Sequence, residues 1–188
     1  MVAEHLTVPH RFVCLSDVEI EGIETIKLLH GWRGWWSKIE LFRPGLFDGE
    51  RVLFFDLDTF INQNIDRLFF VAGRFIMLRD FGAKDVPASG VMRWEGDYSE
   101  IYHDFLRRGA DVMQNYTVRG CVGDQAFIAK IMKHPSFWQD LTPEGFFKSF
   151  KKGGRGEDLK ETPVVCFHGE PKPWDGGGWI QRFWESKL

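Results

Sequence analysis

An apolar stretch at positions 51–59, Arg-Val-Leu-Phe-Phe-Asp-Leu-Asp-Thr, ends in two carboxylates one residue apart. Its apolar run predicts a buried strand. Residues i and i+2 of a strand share a face, so Asp56 and Asp58 are expected to point the same way, with Leu57 turned into the core. Two adjacent carboxylates repel each other unless a positive charge lies between them, and a divalent cation bound to a phosphorylated substrate supplies that charge. The alternative is a strand that runs into an Asp-rich turn.

A second apolar run, residues 163–167, is followed directly by His168. In α/β proteins ligands bind beyond the carboxyl ends of strands, and both His168 and the two aspartates follow predicted strands. Two carboxylates and one imidazole can act as three ligands of an octahedral ion and leave positions open for phosphate oxygens. The alternative is a capped or surface histidine, which is common after a strand.

The residues after this histidine, Gly-Glu-Pro-Lys-Pro-Trp at 169–174, predict a stiff loop that presents a cation. Gly169 allows the backbone to approach a ligand closely, and the two prolines restrict the loop that carries Lys172. An ammonium group held near a metal ion is suited to a diphosphate leaving group.

Short apolar runs alternate with amphipathic stretches along the rest of the chain. Strands are predicted near residues 11–15, 26–28, 75–78 and 90–94, and helices near residues 35–42, 67–70, 98–109 and 124–134. This order predicts an α/β sandwich with a mixed, mostly parallel sheet flanked by helices. With 188 residues, 44% of them hydrophobic, the chain is expected to form a single domain over residues 1–188.

Composition limits the classes of partner and compartment. The net charge is −3, and the 24 Lys and Arg residues are dispersed, which argues against a nucleic-acid-binding protein. The three cysteines lie far apart without a Cys-x-x-Cys pair, which predicts reduced thiols in a cytoplasmic protein. No signal-peptide pattern and no apolar run of ~18 residues is present, so we expect a soluble protein without a transmembrane segment.

Several motifs, taken together and in this order, resemble those of the glycosyltransferase family 8-like group, the glycogenin and bacterial galactosyltransferase type. The likeness extends from about residue 10 to residue 175 and is carried by residues 55–59, 64–69, 88–92, 123–125 and 168–174. The resemblance implies a fold of the GT-A type, a nucleotide-sugar donor (usually a UDP-sugar) and a carbohydrate or other hydroxyl acceptor. It also implies transfer with retention of the anomeric configuration.

By this resemblance the two aspartates of the family's Asp-x-Asp motif correspond to Asp56 and Asp58, and its metal-binding histidine to His168. The implied metal is manganese, with magnesium as the alternative. The diphosphate-contacting glycine and lysine of the family correspond to Gly169 and Lys172.

The family's Asp-Gln pair, which faces the donor sugar and the reacting centre, corresponds to Asp124 and Gln125. Asp124 could at the same time cap the helix that is predicted to begin there. Ser89, in the family's Ser-Gly step, is the corresponding donor-binding residue. Family members commonly have Asn before this step, and Ala88 stands there instead, so the resemblance leaves the identity of the sugar open.

The start of the chain departs from the family. Its enzymes begin with a strand and a helix that hold the uracil and ribose, whereas residues 2–9 resemble the tail of that helix. We therefore expect the first βα unit to be missing, the nucleotide pocket to be incomplete and UDP to bind weakly. An open sheet edge with exposed apolar surface would also favour a homodimer.

Two other functions fit parts of the sequence. Without the first nucleotide-binding strand, the protein could be a catalytically impaired remnant that binds a nucleotide sugar or carbohydrate. A haloacid-dehalogenase-type phosphatase also begins with an apolar strand ending in Asp-x-Asp. In that class Thr or Val comes two residues after the second aspartate, where this chain has Phe60, and a later acidic partner is expected where Ile128 stands.

Overall fold

The computed structural model of the protein describes residues 1–115, 117–118, 121–152 and 159–186. The chain divides into two compact units, each made of separate stretches. Unit 1 contains Met1–Val8, Leu53–Trp94 and Ser136–Leu188, and unit 2 contains Pro9–Val52 and Glu95–Pro135. The expectation of one domain over the whole chain stays a prediction.

Strands and helices alternate, as the α/β prediction requires. The strands are β1 (Val13–Ser16), β2 (Glu24–Lys27), β3 (Arg51–Phe55), β4 (Thr59–Ile61), β5 (Phe75–Arg79), β6 (Pro87–Glu95), β7 (Thr117–Val118), β8 (Cys121–Val122), β9 (Ser136–Phe137), β10 (Phe147–Ser149) and β11 (Val164–Cys166). The α-helices are α1 (Val2–His5), α2 (Arg67–Phe70), α3 (Ser99–Asn115), α4 (Asp124–Met132), α5 (Trp138–Leu141) and α6 (Gly178–Glu185). Two 3-10 helices cover Gly34–Phe42 and Pro173–Asp175.

Unit 1 contains two mixed sheets. In the four-stranded sheet the order is β3-β6-β5-β9, and β5 runs antiparallel to β6 and parallel to β9. In the three-stranded sheet the order is β10-β11-β4, and β11 runs parallel to β10 and antiparallel to β4. These mixed sheets and their helices confirm the predicted α/β class. Among the strand pairs with a described register, parallel and antiparallel pairs are equally frequent.

Buried apolar side chains from both sheets hold unit 1 together. One cluster is centred on Trp138, which is fully buried and donates its indole N–H to the Val91 carbonyl at 3.2 Å. It also contains Ile61, Ile65, Leu68, Ile76, Leu78, Phe146, Phe147, Val164 and Cys166. Burial of this apolar surface is the main favourable term for folding of the unit. This cluster fixes β4 and β11, the two strands that adjoin the predicted site residues.

Unit 2 packs a 3-10 helix against α3 and α4 through aromatic rings. Trp36 stacks on Phe105 with ring centroids 5.2 Å apart, and Phe105 meets Phe127 edge-on at 5.4 Å. The helix predicted near residues 35–42 is of the 3-10 type. Trp36, Ile39 and Phe42 recur every three residues, so three residues per turn bring all of them to one buried face.

The two long helices of unit 2 end at different residues from those predicted. α3 continues to Asn115 instead of ending near Gly109, because Val112 extends the buried face seven residues after Phe105. An internal glycine costs a helix only about 1 kcal/mol, which such burial offsets. α4 ends at Met132, since Lys133 has a φ of 57°.

Within the described ranges, we find no helix with the length and hydropathy needed to span a membrane.

Candidate functional site

Asp56 and Asp58 lie in a turn that follows β3. The Thr59 N–H donates to the Asp56 carbonyl at 2.9 Å, which closes a four-residue turn. Leu57 is 83% exposed, so the prediction that it points into the core is wrong. Side chains alternate between faces only along an extended strand, and β3 ends at Phe55. The sequence pattern located the two carboxylates but placed the end of the strand too late.

An irregularity in β6 places a backbone carbonyl against this turn. The register between β5 and β6 shifts between Met77 and Leu78, so that residues 89–91 lie in a bulge. Within this bulge, Gly90 accepts the Asp56 N–H at 2.8 Å. A Cβ atom on Gly90 would lie 3.5 Å from Asp56 Oδ2, which is an ordinary contact distance. The bulge therefore holds the backbone of Asp56 through this hydrogen bond.

The end of β11 meets the second aspartate. Cys166 pairs with Thr59 across the β11–β4 ladder, and the Phe167 N–H donates to the Asp58 carbonyl at 3.1 Å. Burial raises the pKa of the Cys166 thiol well above its ordinary value, and the negative charges of Asp56 and Asp58 raise it further. The hydrogen bond from Phe167 places the backbone of Asp58 at the end of the strand that leads to His168.

The imidazole of His168 is held by neighbouring residues of unit 1. Its Nε2 lies 2.7 Å from Ser149 Oγ, and its ring stacks on Phe81 with ring centroids 6.2 Å apart. The pKa of His168 lies below its ordinary value, chiefly because burial disfavours the charged ring and secondly because the Lys151 ammonium repels it. The charge of Asp80 acts in the opposite direction.

The hydrogen bonds of Ser149 assign the proton position on this ring. Ser149 Oγ accepts the backbone N–H groups of Lys151 and Lys152, each at 3.1 Å. A hydroxyl has two lone pairs and one proton, so with both lone pairs used its proton is donated to His168 Nε2. The ring is then neutral and carries its own proton on Nδ1. Ser149 is only 1% exposed, and no signal in the sequence singled it out.

The loop after His168 returns to the aspartate turn. Gly169 has a φ of 72°, a conformation that favours glycine. The close approach of its backbone to a ligand stays a prediction. Lys172 Nζ lies 2.6 Å from Asp58 Oδ2, and the two side chains are 27% and 20% exposed. The ammonium predicted to contact a diphosphate thus forms an ion pair with a predicted metal ligand.

The side chains of Asp56, Asp58 and His168 have the donor chemistry of a divalent-cation site: carboxylate oxygens and an imidazole that its lowered pKa favours in the neutral form. In the part of the chain that the structure describes, no three His, Cys, Asp or Glu side chains converge closely enough to hold an ion. The Lys172 ammonium contacts an oxygen of Asp58, and Ser149 contacts His168. The residue types therefore fit a cation, and metal binding by them stays a prediction.

A cavity of about 270 Å³ adjoins this region of unit 1. It is lined by aromatic, charged and small residues, namely Phe81, Glu144, Gly145, Phe147, Lys148, Ser149 and Lys152. Two of these, Phe81 and Ser149, also contact the His168 ring. The cavity therefore shares two lining residues with the surroundings of the imidazole.

Ser89, the predicted donor-binding serine, belongs to the β6 bulge beside Gly90. Its side chain is 3% exposed. The bulge brings the backbone of this segment to the aspartate turn, while the hydroxyl itself is buried. A role of Ser89 in donor binding stays a prediction.

Asp124 and Gln125 belong to unit 2, where they begin α4. Gly123 is the N-cap residue and Asp124 lies in the first turn, so Asp124 is not the N-cap residue of this helix. Its Oδ2 atom instead lies 3.1 Å from Lys38 Nζ, and the two side chains are 6% and 9% exposed. Sequence reasoning missed Lys38, because 86 positions separate it from its partner. The catalytic roles predicted for Asp124 and Gln125 stay predictions.

The fold is similar to that of solved glycosyltransferases. GlyE of Streptococcus pneumoniae TIGR4 matches with a TM-score of 0.63 and 16% identity, over 89% of this chain and 47% of its own. Its apo form matches with a TM-score of 0.59 and 17% identity, over 89% and 46%. The galactosyltransferase LgtC, in complex with donor and acceptor sugar analogs, matches with a TM-score of 0.55 and 16% identity, over 88% and 74%.

The likeness confirms the glycosyltransferase-type fold that the sequence predicted, and this chain spans about half the length of GlyE. No protein-family model matches the sequence, and no curated protein matches it.

Proposed function

We propose that this chain binds a nucleotide sugar and transfers the sugar to a hydroxyl acceptor. One observation carries the proposal: on a fold shared with glycosyltransferases, the aspartate turn meets the loop that follows β11. The Phe167–Asp58 hydrogen bond and the Lys172–Asp58 ion pair join the two segments. Carboxylates, an imidazole and an ammonium thereby gather at the carboxyl end of a buried strand, where ligands of α/β proteins bind.

We propose a UDP-sugar as donor, with the diphosphate bound to manganese or magnesium. Asp56, Asp58 and His168 are the residues that would hold the cation. When bound, the cation supplies Lewis-acid stabilisation of the charge on the diphosphate. In the neutral ring Nε2 is the unprotonated nitrogen and accepts the Ser149 hydroxyl, so binding of a metal ion by His168 would require that hydroxyl to turn away from Nε2.

Positively charged side chains of the protein stabilise the negative charge that develops on the diphosphate during transfer. The bond between the anomeric carbon and the phosphate oxygen breaks, and its electron pair remains on the departing diphosphate. The Lys172 ammonium stabilises this charge, and the backbone at Gly169 allows the phosphate to approach closely. An electrostatic contact that strengthens as the bond breaks lowers the barrier more than it strengthens substrate binding.

The acceptor oxygen forms the new bond to the anomeric carbon, and its proton passes to the departing phosphate. Attack on the face that the diphosphate leaves gives retention of configuration, which the family resemblance favours. For the sugar itself we propose Asp124 as a partner of its hydroxyl groups. Gln125 is proposed to position the sugar and the acceptor. The sugar is proposed to be a hexose.

Nucleotide binding tests the donor class. Calorimetry should detect weak UDP binding with saturating MnCl2 that EDTA abolishes. A coupled assay for released UDP, run over a panel of UDP-hexoses with and without sugar acceptors, then tests catalysis. UDP binding without UDP release from any donor would identify a binding protein instead of an enzyme. No binding of UDP in manganese would contradict the proposed donor.

A further inference from the structure

Two lysines follow β10 and flank the histidine loop. Lys151 and Lys152 donate their backbone N–H groups to Ser149 Oγ, and this serine also contacts His168. The backbone after β10 is therefore held in a tight turn beside the loop that begins at Gly169. The family resemblance assigned no function to either lysine.

The ammonium groups of both lysines pack against glycine backbone. A Cβ atom on Gly169 would lie 2.9 Å from Lys151 Nζ, and one on Gly82 would lie 1.6 Å from Lys152 Nζ. Any side chain at Gly82 would therefore displace the Lys152 ammonium. Gly169 is the residue whose backbone is proposed to contact the diphosphate, so one ammonium already lies at that position.

The two charges lack a carboxylate partner in the described part of the chain, where no acidic side chain forms an ion pair with either lysine. The carboxylates that share their surroundings are Asp80 and Asp58, which act on the same imidazole, and Glu144, which lines the cavity beside Lys152. With Lys148, which lines the same cavity, and Lys172, four ammonium groups lie among these three carboxylates, an excess of one positive charge. Lys172, by contrast, is already paired with Asp58.

Space for an anion is present at the same place. Lys152 and Ser149 line the cavity of about 270 Å³, and so does Phe81, which stacks on the imidazole. Both lysine residues are exposed, so a ligand can reach their ammonium groups without a change in the core.

We propose that Lys151 and Lys152 bind the diphosphate of the donor, together with the backbone at Gly169. The inference rests on the proposed transferase function and extends it to residues outside the family motifs. Paired ammonium groups bind phosphate oxygens through charge-assisted hydrogen bonds, which are stronger than neutral ones. Lys172 and the two lysines would then contact the diphosphate from different segments of unit 1.

Calorimetry with inorganic pyrophosphate, UDP and uridine tests the proposal in MnCl2. The variants are Lys151→Ala, Lys152→Ala and the double variant, and Lys160→Ala is the matched control because it removes the same charge from an exposed position of the unit. Each single change should weaken pyrophosphate and UDP binding roughly two- to fivefold, the scale for an exposed ionic contact. The double variant should lose more affinity than either single variant, and this loss of affinity should become smaller at high salt. Binding of uridine should not change.

The outcomes separate this inference from the proposed function. Unchanged UDP affinity in the double variant, while the unaltered protein binds UDP and releases it from UDP-sugars, would overturn the inference alone. An equal loss in Lys160→Ala would also overturn it, because it would indicate a general charge effect. Lysine-dependent pyrophosphate binding without UDP-sugar turnover would contradict the transferase and leave the anion site in place. Thermal unfolding and the charge-preserving Lys151→Arg/Lys152→Arg variant control for folding.

Discussion

Lys172 Nζ lies 2.6 Å from Asp58 Oδ2 and gives the second carboxylate of the turn an internal counter-ion. The pair joins residues 114 positions apart, from the two loops that the family resemblance assigns to the metal and to the diphosphate. A divalent cation at Asp58 would compete with this ammonium for the same oxygen. Release of Lys172 from Asp58 would in turn free the ammonium for phosphate.

Lys172→Ala should strengthen manganese binding in the absence of nucleotide, because the cation no longer competes with an ammonium for Asp58. A partly exposed ion pair contributes up to about 1 kcal/mol, which corresponds to a gain of about fivefold in affinity. Calorimetric titration with MnCl2 measures the change, and Lys160→Ala is the control. The same variant should lose UDP-sugar turnover. Weaker manganese binding in Lys172→Ala would show that the ammonium does not compete with the cation.

Asp58→Asn should lower sugar transfer by roughly 10²–10³-fold, the scale for losing one preorganised electrostatic contact, with little change in the melting temperature. The amide keeps the shape of the side chain but removes the charge that a cation and Lys172 both require. His168→Ala should act in the same direction by removing a metal ligand. Steady-state kcat/KM with saturating MnCl2 measures both, and Asp48→Asn, at an exposed position of unit 2, is the control. Full activity in either site variant would contradict a shared metal site.

Apolar runs predicted the fold well because burial is what selects strands and helices in this chain. The strand before Asp56 and the strand before His168 both exist, and both end near the same turn. Leu57 was misplaced because the alternation rule holds only while the chain stays extended, and a hydrogen bond to the Asp56 carbonyl ends that extension.

Long-range polar contacts could not be predicted. The pairing of Lys38 with Asp124 and of Ser149 with His168 depends on how distant segments pack, and neither Lys38 nor Ser149 belongs to a local motif. The type of the first 3-10 helix could not be predicted either. Trp36, Ile39 and Phe42 recur every three positions, but Glu40 and Leu41 are buried as well, so the buried residues show no clear period of three.

Ser149→Ala should destabilise unit 1 by about 1–3 kcal/mol, since it removes an acceptor for two backbone N–H groups and a partner of His168. It should also change the tautomer of His168, whose Nε2 would no longer be held as an acceptor. Chemical denaturation measures the stability, and nitrogen chemical shifts of the imidazole report the tautomer. Ser136→Ala, at an exposed serine of the same unit, should change neither. An unaltered imidazole spectrum in Ser149→Ala would contradict the assigned hydrogen bond.

The lowered pKa of His168 predicts a dependence of stability on pH. Folded protein binds fewer protons at this site than unfolded protein, so the contribution is present above the unfolded pKa of 6.5 and is lost as the pH falls toward the folded value. Between pH 7.5 and pH 5, about the range of this titration, the native protein should therefore lose stability more steeply than His168→Gln. Urea denaturation across this range measures the difference. Equal slopes would show that the histidine titrates normally in the folded state.

Gly123→Ala should disturb the start of α4 through two separate effects. Gly123 has φ 75° and ψ −150°, a backbone conformation that costs other residues about 1–3 kcal/mol. An added Cβ would also lie 2.3 Å from Trp35 Nε1, so the indole, which is 57% exposed, has to move away. Stability and tryptophan fluorescence should both change.

Gly22→Ala separates the two effects of the Gly123 substitution. Gly22 has nearly the same φ, 76°, in the same unit, but an added Cβ there would meet nothing within 4 Å. It should therefore show backbone strain without the change in tryptophan fluorescence. In a Trp35→Ala background, Gly123→Ala should lose the part of its cost that comes from the indole and keep the part that comes from φ. If both glycine variants lose the same stability and neither alters the fluorescence, Trp35 does not pack against the start of α4.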